Sequence, residues 1–220
     1  MISPASHYVA LAAAYVRGRL GVPALDDDAA IARGLAHAAS GAEPHLKLHR
    51  FKRSELPRIR PVLGALRGFG VASLVDLGSG RGVFVWPLLD ALPHVTIAAV
   101  DLLAHRAQLF ADVARGGVAR LAGVRADITA LPLADDCVDC VTALEVLEHL
   151  PGDGPERALA EAVRVARTAV IATVPSHPDD NPEHVHLFDG ARLETMFRAA
   201  GARRVTIDHV LNHIIAVAAL

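Results

Sequence analysis

From residue 71 onward, short apolar runs alternate with amphipathic segments. The runs "ASLVDLG", "VTIAAVD", "ARLAGVRAD", "CVDCVTALE" and "TAVIATVP" have strand length, and the segments between them repeat apolar residues at helical spacing. Nearly continuous apolar strands separated by helices are typical of a parallel sheet that is covered on both faces. The pattern therefore predicts a doubly wound α/β fold over residues 71–220.

The last two apolar runs break this alternation. "RRVTIDHV" and "HIIAVAAL" are separated by Leu211 and Asn212 alone. Strands this close in sequence pair only as an antiparallel hairpin. We therefore expect five parallel strands followed by a terminal hairpin. Pro87 falls inside the first helical segment, "RGVFVWPLLDAL", and should shorten or kink that helix.

Residues 1–70 have a different pattern. The apolar stretches "YVALAAAYV" and "AAIARGLAHAA" predict an N-terminal helical extension that ends near Phe69 and Gly70. We expect this extension to form a lid over the ligand-binding end of the sheet. Its last part carries one acid, Glu55, and seven cations: Lys47, Arg50, Lys52, Arg53, Arg58, Arg60 and Arg67. These cations form a solvated helix face, pair with acids of the sheet domain, or act as a clamp for a phosphate or carboxylate group.

Composition limits the function further. The net charge of −2 argues against a protein that holds nucleic acid by its overall charge, although a local basic patch is compatible with it. Two cysteines, Cys137 and Cys140, exclude a disulfide scaffold and read as buried strand residues. The first twenty residues lack a basic leader, and no apolar run approaches the ~18 residues of a membrane span. We expect a cytoplasmic protein without a membrane partner.

The candidate ligand site begins with "VDLGSGRGVF", directly behind the first predicted strand. Ligands of doubly wound sheets bind at the carboxyl ends of the strands, and glycines there let backbone approach a ligand closely. The spacing is D-x-G-x-G-x-G from Asp76. The dinucleotide fingerprint fails because its third glycine would be Val83, and no G-K-[ST] follows to make a phosphate-binding loop.

Two further acids end the next two strands. Asp101 can accept hydrogen bonds from both hydroxyls of a ribose, and Asp127 is placed to reach an adenine amino group. Each of them could instead cap a helix or stabilise a turn. Three acids at the ends of three successive strands favour the ligand interpretation.

These motifs resemble, in order, those of the class I S-adenosylmethionine-dependent methyltransferases: "VDLGSGRG", "AAVDLL", "RADITALPLADDCVDCVTALEVLEHL" and "IATVPS". The resemblance implies a Rossmann-like, seven-stranded, mostly parallel sheet whose last strand is inserted antiparallel between the fifth and sixth. It also implies S-adenosylmethionine as cofactor, with its methionine part over the glycines, Asp101 at the ribose, and Asp127 with Ile128 at the adenine. The full set of implied cofactor-binding residues is Asp76, Gly78, Ser79, Gly80, Gly82, Asp101, Leu102, Asp127, Ile128 and Glu145.

Acidic and imidazole groups follow the fourth and fifth strands. Glu145, Glu148 and His149 share one face if "ALEVLEHL" is helical, and "PEHVHLFD" adds His184 and His186. Neighbouring strands bring both segments to the same edge of the sheet, where they can converge.

Three interpretations of this cluster stay open. The residues are structural, as the likeness of E-V-L-E-H to small-molecule O-methyltransferases of the ubiquinone type implies. Alternatively, His149 or His186 is a general base for a hydroxyl acceptor. In the third, a divalent metal is bound, as in the similar bacterial small-RNA 3′-terminal 2′-O-methyltransferases, by Glu145, Glu148, His149, His184 and His186. The first two are favoured, and neither requires a metal.

The acceptor is the least specified part of the function. The N/D-P-P-Y motif of base and glutamine N-methylation is absent, which favours oxygen or carbon acceptors. The cations Lys47, Arg50, Lys52 and Arg53 favour an anionic small molecule. The sequence thus predicts methyl transfer to a small, anionic, hydroxylated acceptor. The alternatives are 2′-O-methylation of RNA ends and a non-catalytic, cofactor-binding partner subunit.

Overall fold

The computed structural model describes residues 4–41, 51, 57–178 and 180–220. Within these ranges the chain forms seven helices and seven strands. The helices are α1 (Pro4–Leu20), α2 (Asp27–Ala39), α3 (Ile59–Phe69), α4 (Val85–Ala91), α5 (Ala104–Arg115), α6 (Gly154–Val165) and α7 (Gly190–Ala199). The strands are β1 (Ser73–Leu77), β2 (Thr96–Asp101), β3 (Leu121–Arg125), β4 (Val138–Leu144), β5 (Ala166–Pro175), β6 (Arg204–Val210) and β7 (His213–Ala219).

All seven strands form one sheet in the order β3-β2-β1-β4-β5-β7-β6. Strands β1 to β5 pair in parallel, and β7 pairs antiparallel with both β5 and β6. The predicted seven-stranded sheet and its terminal hairpin are confirmed. The order reverses between β1 and β4, and this switch point is where open sheets of this type bind their ligands.

Alternating residues of the strands pack into two apolar layers. Leu74 and Ile97 join the layer formed with α1, α3, α4 and α5, whereas Val75 and Leu77 join the layer formed with α6 and α7. Because successive side chains of a strand point to opposite faces, strands that are buried on both sides must be apolar throughout. This explains the continuous apolar runs of the sequence.

Helix α4 is shorter than the apolar pattern indicates. It begins at Val85, so that Pro87 falls in its first turn, where a missing N–H group leaves no helical hydrogen bond unmade. Helix α3 ends at Phe69, and Gly70 follows in the left-handed conformation with φ 63°.

The N-terminal extension packs closely against α5. A Cβ on Gly18 would lie 1.8 Å from the carbonyl oxygen of Asp112, and one on Gly116 would lie 1.7 Å from that of Ala14. Arg17 donates from Nε to the carbonyl oxygen of Gly116 (2.9 Å). Helix α1 therefore belongs to the same apolar layer as α5.

Among the described helices, none combines the length and apolar character that crossing a bilayer demands.

Candidate active site

A cavity of about 390 Å³ lies at the carboxyl ends of β1 and β4, at the switch point of the sheet. The loop after β1, the end of β4 and the start of α3 contribute its walls. The lining includes Asp76, Gly78, Ser79, Gly80, Leu144 and Glu145, together with Arg58 and Ile59 of the extension.

The three glycines of the loop after β1 all have left-handed φ angles, but their surroundings differ. A Cβ on Gly78 would lie 2.3 Å from the Val146 side chain, and one on Gly82 would lie 2.2 Å from the Trp86 indole. A Cβ on Gly80 would meet nothing closer than 3.7 Å. Gly80 therefore leaves open space beside the cavity that a bound cofactor can fill, whereas Gly82 packs against Trp86 and does not line the cavity.

Asp76 is buried at the end of β1, at 3% exposure. Its Oδ1 accepts a hydrogen bond from Thr142 Oγ1 (2.7 Å), and Ser79 Oγ donates to its backbone carbonyl (2.9 Å). Burial disfavours the ionised carboxylate and raises the pKa of Asp76 to about 6, against the lowering effect of the Thr142 hydrogen bond. The base of the cavity therefore holds an acid that titrates near neutrality.

Asp101 joins the end of β2 to the glycine loop. Its Oδ2 accepts from the backbone N–H of Gly80 and its Oδ1 from that of Leu103, both at 2.9 Å. Arg106 Nη1 lies 3.6 Å from Oδ2. Each carboxylate oxygen keeps a second lone pair for a ribose hydroxyl. Leu102 is 61% exposed, so it can cover a ligand at this edge.

Asp127 forms a turn after β3. Its Oδ1 accepts from the backbone N–H and from Oγ1 of Thr129, both at 2.8 Å. The backbone N–H of Thr129 is the main cause that lowers the pKa of Asp127. Ile128 is buried at 6% exposure. Asp127 thus has the turn role that the sequence left open, and its contact with adenine stays a prediction.

Glu145 is held by four groups at the mouth of the cavity. Its backbone is left-handed, with φ 55°, and its N–H donates to the Thr173 carbonyl (2.9 Å). Its Oε1 accepts from Thr173 Oγ1 (2.7 Å) and its Oε2 from His213 Nε2 (2.9 Å). Arg58 Nε lies 3.8 Å from Oε1.

The sequence did not predict that Arg58 and His213 lie beside Glu145. His213 reaches Glu145 because β7 pairs with β5 in a register that sets His213 opposite Pro175, at the carboxyl end of β5. Arg58 belongs to the basic segment, and its proximity to Glu145 agrees with the alternative in which these cations pair with acids of the sheet domain. No local motif marks Arg58 as a residue of the cavity.

The other acidic and imidazole groups form a separate cluster. Residues 147–149 make a single 3-10 turn instead of a helix. Ligand-type atoms of Glu148, His149 and His184 lie within 4.8 Å of one another, and Glu148 is fully buried. His149 donates from Nδ1 to the Glu183 carbonyl (3.1 Å), which leaves Nε2 as its basic nitrogen.

The five candidate ligands of the metal interpretation are therefore divided between two places. Glu145 lies with His213 and Arg58, whereas Glu148, His149 and His184 lie together. His186 donates its backbone N–H to the Glu148 carbonyl (3.3 Å). Its Nε2 is buried, with no hydrogen-bond partner among the residues that the structure describes.

Lys47, Arg50, Lys52 and Arg53 lie outside the described residues, so their contact with an anionic acceptor stays a prediction. Phe51, between them in sequence, is buried and packs against the rings of Tyr15 and Trp86, with centroids 5.7 and 5.1 Å apart. Arg67, further along, donates to the Ala91 carbonyl (3.3 Å).

These features define an α/β protein with a ligand cavity at the switch point of a seven-stranded sheet. Residues 75–172 match the family model described as a methyltransferase domain. A comparison with curated protein sequences finds no match. The matched segment thus has the sequence of a methyltransferase domain, and the sheet has the fold of solved S-adenosylmethionine-dependent methyltransferases, which supports S-adenosylmethionine as the cofactor.

Three solved structures with this fold are distant from this chain in sequence. A SAM-dependent methyltransferase from Aquifex aeolicus has a TM-score of 0.58 at 19% identity, over 76% of this chain and 99% of that chain. An O-methyltransferase family protein from Burkholderia thailandensis has 0.61 at 15%, over 74% and 55%. Magnesium protoporphyrin IX methyltransferase from Synechocystis PCC 6803, with bound S-adenosylhomocysteine (SAH), has 0.60 at 14%, over 84% and 96%.

Proposed function

We propose that the protein transfers the methyl group of S-adenosylmethionine to a hydroxyl group of a small, anionic acceptor. The proposal rests on one observation. The cavity at β1 and β4 and the cluster of Glu148, His149 and His184, which follows β4 and β5, both lie at the carboxyl ends of neighbouring strands. The cavity suits the methyl donor, and the cluster offers a base beside the strands that adjoin the cavity.

The cofactor supplies an electrophilic methyl group on a sulfonium. Transfer is an in-line displacement in which the acceptor oxygen forms a bond to the methyl carbon as the carbon–sulfur bond breaks. The acceptor proton passes to a base. His149 suits that role because its Nδ1 proton is held by the Glu183 carbonyl and Nε2 keeps its lone pair. His186 is the second candidate base, since its Nε2 has no hydrogen-bond partner among the described residues.

The anionic character of the acceptor rests on the basic segment. Phe51 is fixed in the core beside Trp86, and Arg58 borders the cavity. The sequence that flanks and links these two positions carries Arg50, Lys52 and Arg53. Contact with these cations would attract a phosphate or carboxylate on the acceptor and would orient its hydroxyl towards the methyl group.

The proximity of Glu148, His149 and His184 supports a second candidate, metal-assisted 2′-O-methylation of RNA ends. One carboxylate and two imidazoles are a donor set that suits a divalent transition metal. Such an ion would polarise the ribose hydroxyls of the acceptor.

The test uses the purified chain with methyl-labelled cofactor and a cell extract divided into small-molecule and RNA fractions. We expect the label in the small-molecule fraction and SAH as the second product. Label in the RNA fraction would favour the second candidate. The absence of SAH release with any fraction would point to a non-catalytic, cofactor-binding subunit.

A further inference from the structure

Strand β6 forms one edge of the sheet, far along the strand order from the cavity at β1 and β4. Its inner side pairs with β7, and no other strand of the described chain pairs with its outer side. An edge of this kind presents a row of N–H and C=O groups that can pair with a strand of another molecule. The sheet can therefore be extended at β6.

The hydrogen bonds of β7 determine which backbone groups of β6 face outward. The N–H of Leu220, the residue after β7, donates to the Thr168 carbonyl of β5 (3.0 Å). Bonded positions recur at every second residue of an antiparallel ladder, so the even-numbered residues of β7 bond to β5 and the odd-numbered residues bond to β6. Those odd-numbered residues lie opposite the even-numbered residues of β6. The backbone N–H and C=O groups of Val205 and Ile207 therefore point away from the sheet.

The side chains of β6 are arranged by charge and polarity in a pattern that complements its own reverse. Arg204, Thr206 and Asp208 lie on the exposed face of the strand. Val205 and Ile207 are half-buried and pack against the apolar layer formed with α6 and α7. Among the described residues, neither Arg204 nor Asp208 takes part in an ion pair. The strand thus carries one cation and one anion, two residues to either side of Thr206, that are available to another molecule.

We propose that β6 pairs antiparallel with β6 of a second copy of this chain, about a two-fold axis at Thr206. Each Arg204 then lies opposite Asp208 of the other copy, and the pair occurs twice, as a two-fold interface requires. Each Val205 lies opposite Ile207 of the other copy, and the outward backbone groups of these residues bond to one another. The backbone directions and the charges therefore select the same arrangement.

The charges specify the register of this pairing. An axis at Val205 would set Arg204 opposite Thr206, and an axis at Ile207 would set Arg204 opposite Val210. Neither of these registers brings the cation to the anion. Charge complementarity is therefore satisfied when the axis lies at Thr206.

The paired segment ends at Asp208. Its Oδ1 accepts from the backbone N–H of His209 (2.8 Å), which is the next outward donor, and its Oδ2 remains for Arg204 of the other copy. One strand from each copy makes a small interface. We therefore expect a reversible dimer that dissociates on dilution.

Charge reversal, followed by analytical ultracentrifugation, tests the register. Arg204→Asp and Asp208→Arg should each raise the dissociation constant of the dimer about tenfold or more, because each sets like charges opposite each other at two places. The double variant Arg204→Asp/Asp208→Arg should restore the wild-type constant. Arg33→Asp, at an exposed position of α2, is the matched control for Arg204→Asp and should leave the constant within twofold of wild type.

Cysteine cross-linking tests the position of the axis. In this register the two Thr206 residues form a non-hydrogen-bonded pair with Cα atoms about 4.5 Å apart, and disulfides span Cα separations of about 4.4–6.8 Å. Thr206→Cys should therefore form a covalent dimer on oxidation. Thr195→Cys, in the groove between α6 and α7, should not do so, and neither should the wild-type protein with Cys137 and Cys140.

Three results would overturn the proposal. A wild-type protein that stays monomeric up to ~1 mM has no specific interface of this kind. A dimer that both single charge reversals leave intact is formed by another surface. Cross-linking of Thr206→Cys that is no faster than that of Thr195→Cys excludes the axis at Thr206. Because Thr206→Cys keeps both charges, it decides the question even where circular dichroism shows that a charge variant has unfolded.

Discussion

Gly80 differs from the other two glycines of its loop in what surrounds its Cα. Gly78 and Gly82 are needed because Val146 and Trp86 occupy the space where a side chain would begin. At Gly80 that space is open, so a side chain there would compete with a ligand and not with the protein. The glycines of one motif therefore have separate physical reasons, which substitution can distinguish.

Gly80→Ala should weaken SAH binding at least tenfold, because the new methyl group enters the space beside the cavity. Its left-handed backbone should lower the stability of the fold by only about 1–2 kcal/mol. Gly82→Ala is the matched control, in which the clash with Trp86 should lower the melting temperature much more. Calorimetric titration and thermal unfolding of both variants check this. Normal SAH affinity in Gly80→Ala would show that the loop does not form the cofactor cradle.

Asp76 should make stability depend on pH. Its pKa is raised from 3.8 to about 6 by burial, so the folded state binds this proton more tightly than the unfolded state does. The resulting stabilisation is complete below pH 4 and is lost as the pH rises through 6. The difference corresponds to about 2–3 kcal/mol.

Asp76→Asn removes this ionisation. The free energy of unfolding of the variant minus that of wild type should therefore increase by about 2–3 kcal/mol between pH 4 and pH 7. Urea denaturation of both proteins without cofactor measures this difference. Asp90→Asn, at an exposed position of α4, controls for the loss of one surface carboxylate. A difference that stays constant across this pH range would contradict the assignment.

At the scale of elements, hydrophobic periodicity was sufficient to predict the strands, the helices that connect the parallel strands, and the terminal hairpin. It failed after β4, where the acidic and apolar spacing of "ALEVLEHL" indicated a helix. The left-handed backbone of Glu145 interrupts regular structure there, and Pro151 disfavours helical backbone at Leu150. A single 3-10 turn remains between them, and its geometry decides which acids and imidazoles meet.

A chelator tests whether the cluster of Glu148, His149 and His184 binds a metal ion. We expect EDTA to leave methyl transfer within about twofold of its original rate, because a general base or a structural role for Glu148, His149 and His184 requires no ion. His94→Ala, at an exposed position before β2, is a control for His149→Ala, which should lower kcat. A large loss that Mn²⁺ or Mg²⁺ restores would make the three residues metal ligands and would favour the RNA acceptor.

At the scale of the whole molecule, the segment that matches the family model and the N-terminal helices that lie outside it are different parts of the chain. Residues 75–172 carry the methyltransferase match, whereas α1 to α3 precede it. The proximity of Arg58 to Glu145, and that of Glu145 to His213, depends on how distant segments pack. No periodicity or local motif in the sequence encodes such contacts. This is why the strands could be predicted and the cluster of Arg58, Glu145 and His213 could not.

Arg50, Lys52 and Arg53 of the basic segment should act on the acceptor and not on the cofactor. Replacing Arg50, Lys52 and Arg53 together with Gln should raise the acceptor's KM and leave SAH affinity within twofold of wild type. The effect should shrink with added salt, since exposed charges are screened beyond ~8–10 Å at physiological ionic strength. A small anion should give a shallow dependence on salt.

An RNA acceptor would give a steep dependence, because each neutralised phosphate of a single strand adds about 0.7 to the log–log slope. Lys47 and Arg60, replaced singly, show whether the effect belongs to the three central cations. Unchanged acceptor kinetics in the triple variant would show that these cations form a solvated surface.

The insertion of β7 between β5 and β6 has a consequence for biosynthesis. In the described sheet β6 lies at the edge and pairs with β7, which follows it in the chain. On the ribosome, β6 therefore emerges before the strand that connects it to the rest of the sheet. His213, the first residue of β7, reaches Glu145 only when that strand has docked. A nascent chain can thus complete its glycine loop early, but it acquires the fully oriented Glu145 only after β7 has been translated.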